Sequence, residues 1–220
     1  MSNKEAKPVV VLLHGLGLNK WSMVRLSRAL RRDGYRVLAL TYPSLRRDLA
    51  GIVAFVHDRL VAAGLEGRAL NFVTHSMGGL VARAYITRYR PAIGRIVMIA
   101  PPNAGNEIID RIADGVWWAR LTRRLIRNAI PTLTTRRTPD MDAQLGGAAD
   151  YPLGIIAGTT SYYAAGHFMV PRPNDGVASV ARARLDGMTA LLEVPGSHSL
   201  MLFQKHVRDA VRQFLRDGTF

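Results

Sequence analysis

The chain has 220 residues, which is enough for one well-packed domain and too few for two comfortable ones. It contains no cysteine, so disulfide bonds and thiolate metal sites are excluded. Lys and Arg outnumber Asp and Glu by 30 to 16, and the resulting net charge of +14 favours anionic partners or surfaces. No zinc-finger spacing or RNA-binding aromatic motif accompanies this charge, so nucleic acid is not an expected partner.

The first residues, "MSNKEAKPVVVLLHG", do not read as a signal peptide. Their apolar run is short and leads into a glycine loop instead of a small-residue cleavage site. No stretch approaches the roughly 20 apolar residues that a membrane span needs. We therefore expect a cytoplasmic protein, unless a segment upstream of these residues directs it elsewhere.

Six short apolar runs, rich in Val, Ile and Leu, predict strands that are buried on both faces. They cover residues 8–15, 36–43, 69–76, 95–102, 153–160 and 190–197. Apolar residues at helical spacing mark residues 20–33, 48–62, 77–90 and 200–216. This alternation predicts a single α/β domain over residues 1–220, with a doubly wound, mostly parallel sheet of about six strands.

Residues 103–152 interrupt this alternation of strands and helices, because the segment is far longer than a simple crossover between two strands requires. No acidic residue occurs from Gly115 to Pro139. Tryptophan and arginine on one helix can bind an anionic membrane surface, and the segment carries Trp117, Trp118, Arg120, Arg123, Arg124 and Arg127. Alternatively, the helix only covers the sheet, with its tryptophans packed inward and Leu121 and Leu125 in a packing stripe.

Polar residues follow the carboxyl ends of the predicted strands, where parallel sheets bind their ligands. "HGLG" (14–17) follows the first strand, and its glycines let the backbone turn sharply and point amides into a site. "THSMGG" (74–79) places Ser76 at a tight turn above a helix N-terminus, a location that suits a nucleophile. "RPNDGVAS" (172–179) offers Asp175, and "PGSHSLM" (195–201) offers His198.

A serine, an acid and a histidine in this order, each at a separate strand end, resemble the α/β-hydrolase family, whose nucleophile lies in a G-x-S-x-G turn. The resemblance runs from Pro8 to about Leu215 and is strongest to small bacterial lipase- or esterase-like hydrolases. The segments that carry it are "HGLG", "GYRVLALTYPS", "HSMGGLVAR", "IAPPNAGNE", "NDGVASV" and "SH". Each segment is weak alone, and the ordered set is specific.

The resemblance implies a role for each of these residues. Ser76 would be the nucleophile, His198 would take and return its proton, and Asp175 would orient the imidazole. The backbone amides of Leu16 and Met77 would form the oxyanion hole. Residues 103–152 would form a cap or lid over the site within the same domain.

The implied activity is hydrolysis of carboxylic esters, lipid-like or of short-to-medium acyl chain, through an acyl-enzyme intermediate. Thioesterase, amidase or acyltransferase activity would use the same residues, and a catalytically silent binding protein would share the fold. Trp117, Trp118 and Phe168 are candidate substrate-binding residues. Neither a metal nor an organic cofactor is implied, and the sequence does not define an oligomeric state.

Two residues compete with this assignment or depart from it. Asp186, like Asp175, precedes a glycine, but "RLDGMTALLEV" reads as a turn into the sixth strand, so we expect a structural role for Asp186. Thr74 occupies the position where the turn pattern has its first glycine. We interpret it as a tolerated variant, because Gly78 and Gly79 leave room on the other side. If the turn were too crowded, Ser76 would be misplaced and Thr74→Gly would raise its reactivity.

Overall fold

The computed structural model describes residues 8–115, 117–162 and 164–220. In these residues six strands form one sheet in the order β2-β1-β3-β4-β5-β6, and every neighbouring pair is parallel. The strands are β1 (Val9–Leu13), β2 (Arg36–Leu40), β3 (Leu70–His75), β4 (Ile93–Ile99), β5 (Leu153–Gly158) and β6 (Ala190–Val194). The predicted doubly wound α/β fold is confirmed, and the sheet is wholly parallel where a mostly parallel one was expected.

Helices connect the strands. They are α1 (Val24–Arg32), α2 (Leu49–Ala62), α3 (Met77–Tyr89), α4 (Glu107–Ala113), α5 (Arg120–Ile126), α6 (Ile130–Leu133), α7 (Pro139–Leu145), α8 (Ala164–Met169), α9 (Val180–Ala183) and α10 (Lys205–Asp217). Short 3₁₀ turns occupy Lys20–Met23, Trp117–Ala119 and Leu200–Phe203. Among the described residues, no helix has both the length and the apolar character that crossing a bilayer requires.

Two of the predicted helices begin later than expected. The first turn of residues 20–33 is a 3₁₀ turn, and the side chain of Asn19 caps it by accepting the N–H of Trp21 at 2.9 Å. In residues 200–216 an extended residue, Gln204, separates a 3₁₀ turn from α10. The helical spacing of apolar residues therefore predicted where both helical segments lie, but it did not predict that each is divided into a 3₁₀ turn and an α-helix.

The two faces of the sheet are covered by different helices. Because side chains alternate along a strand, the odd residues of β1 face one core and the even residues face the other. The first core is filled by α2, α3 and apolar residues of the segment 103–152, called the insertion below, and the second by α1 and α10. Burial on both faces is why the strands are nearly continuous apolar runs in the sequence.

Two buried arginines fasten the insertion to the end of β4. Arg137 donates hydrogen bonds to the carbonyl oxygens of Asn103 (2.7 Å) and Pro102 (3.0 Å). From α3, Arg83 reaches the carbonyl oxygen of Gly146 at 2.7 Å and that of Asn103 at 3.3 Å. Burial lowers the pKa of Arg137 to about 10, which still leaves the guanidinium charged at neutral pH. The insertion is therefore held by charged hydrogen bonds to backbone groups beside the carboxyl edge of the sheet.

Candidate active site

Ser76 lies at the turn between β3 and α3. Its backbone has φ 53° and ψ −127°, which is an unfavourable combination for any residue except glycine. The turn is tight, because a Cβ added at Gly78 would lie 2.4 Å from the carbonyl oxygen of Leu13. A Cβ added at Gly15 would lie 3.2 Å from the Cβ of Ser76. Glycine at both positions lets the end of β1 and the start of α3 close around the serine.

The structure brings Ser76, His198 and Asp175 together, although they follow three different strands. The Oγ of Ser76 lies 2.9 Å from Nε2 of His198. The Nδ1 of the same ring lies 2.7 Å from Oδ2 of Asp175. Because the carboxylate can only accept, Nδ1 donates to it, which leaves Nε2 as an acceptor for the serine hydroxyl. The geometry is therefore that of a serine activated by a base.

The carboxylate of Asp175 is almost fully buried, and its oxygens have matched partners. Oδ1 accepts the backbone N–H groups of Val177 (2.9 Å) and Ala178 (2.7 Å), while Oδ2 faces His198. The backbone N–H of His198 also donates to the carbonyl oxygen of Asp175, at 2.9 Å. A buried charge is tolerated when it is hydrogen-bonded in this way. The loop after β5 and the loop after β6 are thereby locked to each other.

A small cavity of about 210 Å³ opens beside Ser76. Its apolar lining comes from the loop after β1, the insertion and the loop that carries the acid, through Leu16, Leu18, Ile109, Leu133 and Val177. Met77 is the first residue of α3, so its N–H has no acceptor within the helix. Both residues predicted to supply oxyanion-hole amides thus adjoin the serine, one by lining its cavity and one by following it in the chain.

Two of the three aromatic residues predicted to bind substrate, Trp117 and Phe168, lie outside this cavity. The side chains of Trp117 and Phe168 are 82% and 85% exposed, and neither lines the cavity. Trp118 belongs to a 3₁₀ turn, and its side chain lies outside the described part of the structure. Asp186, the rival acid, precedes β6 and so lies near the amino ends of the strands, away from Ser76. There its carbonyl oxygen accepts the N–H of Ala149 at 2.7 Å.

His75 lies behind His198 and supports its backbone. The ring is buried, and its Nε2 lies 3.0 Å from the backbone carbonyl oxygen of His198. Burial, reinforced by the nearby His198 ring, lowers the pKa of His75 to about 3. The ring is therefore neutral at physiological pH, and Nε2 must carry the proton because a carbonyl oxygen only accepts.

His14 and Tyr42 form a second supporting pair that the sequence did not single out as partners. Their rings stack with centroids 4.2 Å apart. Nε2 of His14 accepts the backbone N–H of Tyr42 at 3.2 Å, and the hydroxyl of Tyr42 donates to the carbonyl oxygen of His14. The loop after β1, which borders the cavity, is thereby fixed to the loop after β2. Both residues lie in segments that carry the family resemblance, "HGLG" and "GYRVLALTYPS".

Thr74 is accommodated within β3 next to the start of α3. Its side chain is fully buried, and its Oγ1 would lie 3.4 Å from a Cβ added at Gly79. Among the described residues, the hydroxyl has no hydrogen-bond partner. Since Ser76 still lies at hydrogen-bonding distance from His198, the threonine does not displace Ser76 from that histidine. Gly79 supplies the space that the missing glycine would have left.

With this geometry in view, comparison with known proteins identifies the class. The Alpha/beta hydrolase family profile matches residues 10–216, so the chain belongs to this family. A curated relative, the probable esterase PIR7A of Oryza sativa subsp. indica, is 31% identical over 108 residues. That match takes in 44% of this chain and 41% of the rice protein, so the chain spans about two fifths of the relative's length.

Solved structures share the fold at low sequence identity. The mature lipase BlEst2 of Bacillus licheniformis has a TM-score of 0.69 at 18% identity, over 98% of this chain and 94% of that one. A bromoperoxidase of Bacillus anthracis has a TM-score of 0.70 at 16% identity, over 96% and 93% of the two chains. Proteins with different activities thus share this architecture, so the activity of a chain with this fold depends on the residues of its site.

Within residues 8–115, 117–162 and 164–220, no three His, Asp or Glu side chains are grouped as a metal ion would require. The side chains of His198 and Asp175 are hydrogen-bonded to each other, and Nε2 of His75 faces the backbone carbonyl oxygen of His198. What the arrangement can do is transfer a proton between a serine hydroxyl and an imidazole beside an apolar cavity.

The unpartnered hydroxyl of Thr74 leads to a stability prediction. Thr74→Val keeps the shape of the side chain and removes a buried oxygen without a partner, so the free energy of unfolding should rise by about 1 kcal/mol. Urea denaturation measures the change. Thr74→Gly should lower stability and leave catalytic activity no higher than in the parent protein. A large gain in activity for Thr74→Gly would mean that the turn is strained by the threonine.

The neutral ring of His75 leads to a pH prediction. An unfolded histidine titrates near 6.5, whereas His75 titrates at about 3 when folded. As the pH falls from 6.5 towards 3, the unfolded state alone gains this proton, so stability falls by up to about 1.4 kcal/mol per pH unit. We expect His75→Gln, whose side chain can keep the donor to His198, to lose less stability than the parent over this window. Urea denaturation at pH 7 and pH 4.5 tests this, and equal losses in both proteins would contradict it.

Proposed function

We propose that the protein hydrolyses carboxylic esters through an acyl-enzyme intermediate on Ser76. The observation that carries the proposal is the continuous chain of hydrogen bonds, 2.9 Å from Ser76 to His198 and 2.7 Å from His198 to Asp175. A serine hydroxyl is a weak nucleophile without such a base. Membership of the Alpha/beta hydrolase family and similarity to a probable esterase and a lipase support the same reaction.

Acylation begins when Oγ of Ser76 attacks the carbonyl carbon of the ester and its proton passes to Nε2 of His198. The buried carboxylate of Asp175 stabilises the imidazolium that forms and keeps the ring oriented. The carbonyl oxygen, now an oxyanion, accepts hydrogen bonds from the backbone N–H groups of Leu16 and Met77. One such donor typically lowers the barrier by about 3 kcal/mol.

Acylation ends when the proton leaves His198 again. The imidazolium gives its Nε2 proton to the leaving alkoxide oxygen, the ester C–O bond breaks, and an acyl ester remains on Ser76. A water molecule then attacks this ester, and His198 takes one of its protons. Collapse of the second oxyanion releases the carboxylic acid and restores the hydroxyl of Ser76 with the proton held on His198.

The cavity argues for a short-to-medium acyl group. Its volume of about 210 Å³ is below the roughly 300–1,000 Å³ of drug-sized ligand pockets. Its apolar lining, which includes Leu133 and Val177, suits an acyl chain, and none of the described residues that line it is a lysine or an arginine. A long acyl chain would have to extend beyond the cavity, so short esters should be the better soluble substrates.

A series of p-nitrophenyl esters tests the proposal. We expect kcat/KM to be highest for the acetate and butyrate, and to fall through the octanoate to the palmitate. Ser76→Ala should lower kcat by at least about 10³-fold, and Asp175→Asn by about 10⁴-fold, because the latter loses the required tautomer. Ser22→Ala, a serine outside the site, serves as the matched control and should change little.

Two outcomes would contradict the proposal. One is a folded parent protein that turns over none of these esters, which would leave the protein a non-catalytic member of the fold. The other is turnover that Ser76→Ala does not reduce, which would place the reaction elsewhere. Parallel assays with a thioester and an anilide of the preferred acyl group separate ester hydrolysis from thioesterase and amidase activity.

A further inference from the structure

The outer face of the insertion carries an apolar stripe that none of the described residues covers. In the segment from Trp117 to Ile126, Ala119 and Ile126 are buried and form its inward side. Trp117, Leu121 and Leu125, spaced four residues apart, are 82%, 71% and 56% exposed. The two leucines therefore do not form the packing stripe that the alternative interpretation of this helix expected.

Four exposed arginines flank this stripe on one side. At about 100° per residue, they lie between the inward side and the stripe, and they are Arg120, Arg123, Arg124 and Arg127. The ion pairs of the insertion within the described residues use Arg136, Arg137 and Arg182 and none of these four. From Gly115 to Pro139, the segment that carries the stripe contains no acidic residue, so its own formal charges are all positive. We call the stripe and the four arginines the apolar-basic face.

The apolar-basic face adjoins the mouth of the catalytic cavity. Just after α5, the side-chain amide of Asn128 donates to the carbonyl oxygen of Leu45 at 3.4 Å. The neighbouring Ser44 accepts the N–H of Gly17 at 3.0 Å, which joins this loop to the loop that lines the cavity. Leu45 and Leu18 are each more than one third exposed. The exposed apolar surface thus continues from α5 towards the opening beside Ser76.

We propose that the apolar-basic face lies in the interfacial region of an anionic lipid membrane. The stripe would enter the boundary between headgroups and acyl chains, and the arginines would bind lipid phosphates. Charge decides between lipid and a second copy of the chain, because two such faces in contact would oppose arginine to arginine. The net charge of +14 attracts the whole molecule to the same surface. The inference goes beyond ester hydrolysis, since the binding needs none of the catalytic residues.

Sedimentation with sucrose-loaded vesicles tests the proposal, with the full chain in the Ser76→Ala background so that lipids stay intact. We expect binding to phosphatidylglycerol–phosphatidylcholine vesicles, weaker binding to pure phosphatidylcholine, and loss of binding as salt rises. The double variant Leu121→Glu/Leu125→Glu should weaken binding by at least about 10-fold, since both sites are exposed and the fold should be kept. Val61→Glu, at an exposed apolar position on α2, is its matched control and should bind normally.

A second pair of variants separates charge from insertion. Arg120→Gln/Arg124→Gln should weaken binding to the anionic vesicles and leave binding to phosphatidylcholine unchanged, whereas Arg28→Gln/Arg32→Gln on α1 should weaken it much less. Circular dichroism checks that each variant is folded. When the same substitutions are made in the protein that retains Ser76, hydrolysis of the soluble butyrate ester should be unchanged. A loss of catalysis can therefore be distinguished from a loss of membrane binding.

The proposal is overturned if the parent does not bind anionic vesicles, or if the Leu121→Glu/Leu125→Glu variant binds them as tightly as the parent does. It is also overturned if light scattering finds a dimer that becomes a monomer on the same double substitution, because a second copy would then cover the stripe.

Discussion

The site depends on one close approach, between the start of α3 and the end of β1. Gly78 sits so near the carbonyl oxygen of Leu13 that a Cβ there would be 2.4 Å away. This contact holds the chain in the strained conformation of Ser76, which turns the hydroxyl out of the sheet and towards His198. It also sets the first N–H of α3 beside the serine, where negative charge would develop in ester hydrolysis.

The remaining parts of the site are held by hydrogen bonds to backbone groups. His75 supports the carbonyl of His198, the amides of Val177 and Ala178 hold Asp175, and Arg137 fastens the insertion to the loop after β4. These contacts lie in buried surroundings, where a missing partner is costly. They explain how three side chains from separate loops keep distances of 2.7 to 2.9 Å without a shared element.

The sequence predicted most of the fold, because strands buried on both faces are continuous apolar runs and carboxyl ends of parallel strands meet at one edge. For the same reason it predicted that Ser76, Asp175 and His198 would converge. It did not predict that Trp117, Leu121 and Phe168 face solvent, because a stripe of apolar residues looks alike whether or not another element covers it. Nor did it reveal the breaks at Met23 and Gln204, which depend on local capping and backbone angles.

The most direct test of the central claim is the reaction of the folded protein with a fluorophosphonate, followed by mass spectrometry of the modified peptide. The account predicts one modified residue, Ser76, with the serine oxygen displacing fluoride from phosphorus. It also predicts that His198→Gln slows the labelling by about 10³-fold, since the hydroxyl loses its base. Modification at another residue, no modification of the folded protein, or an unchanged rate in His198→Gln would contradict it.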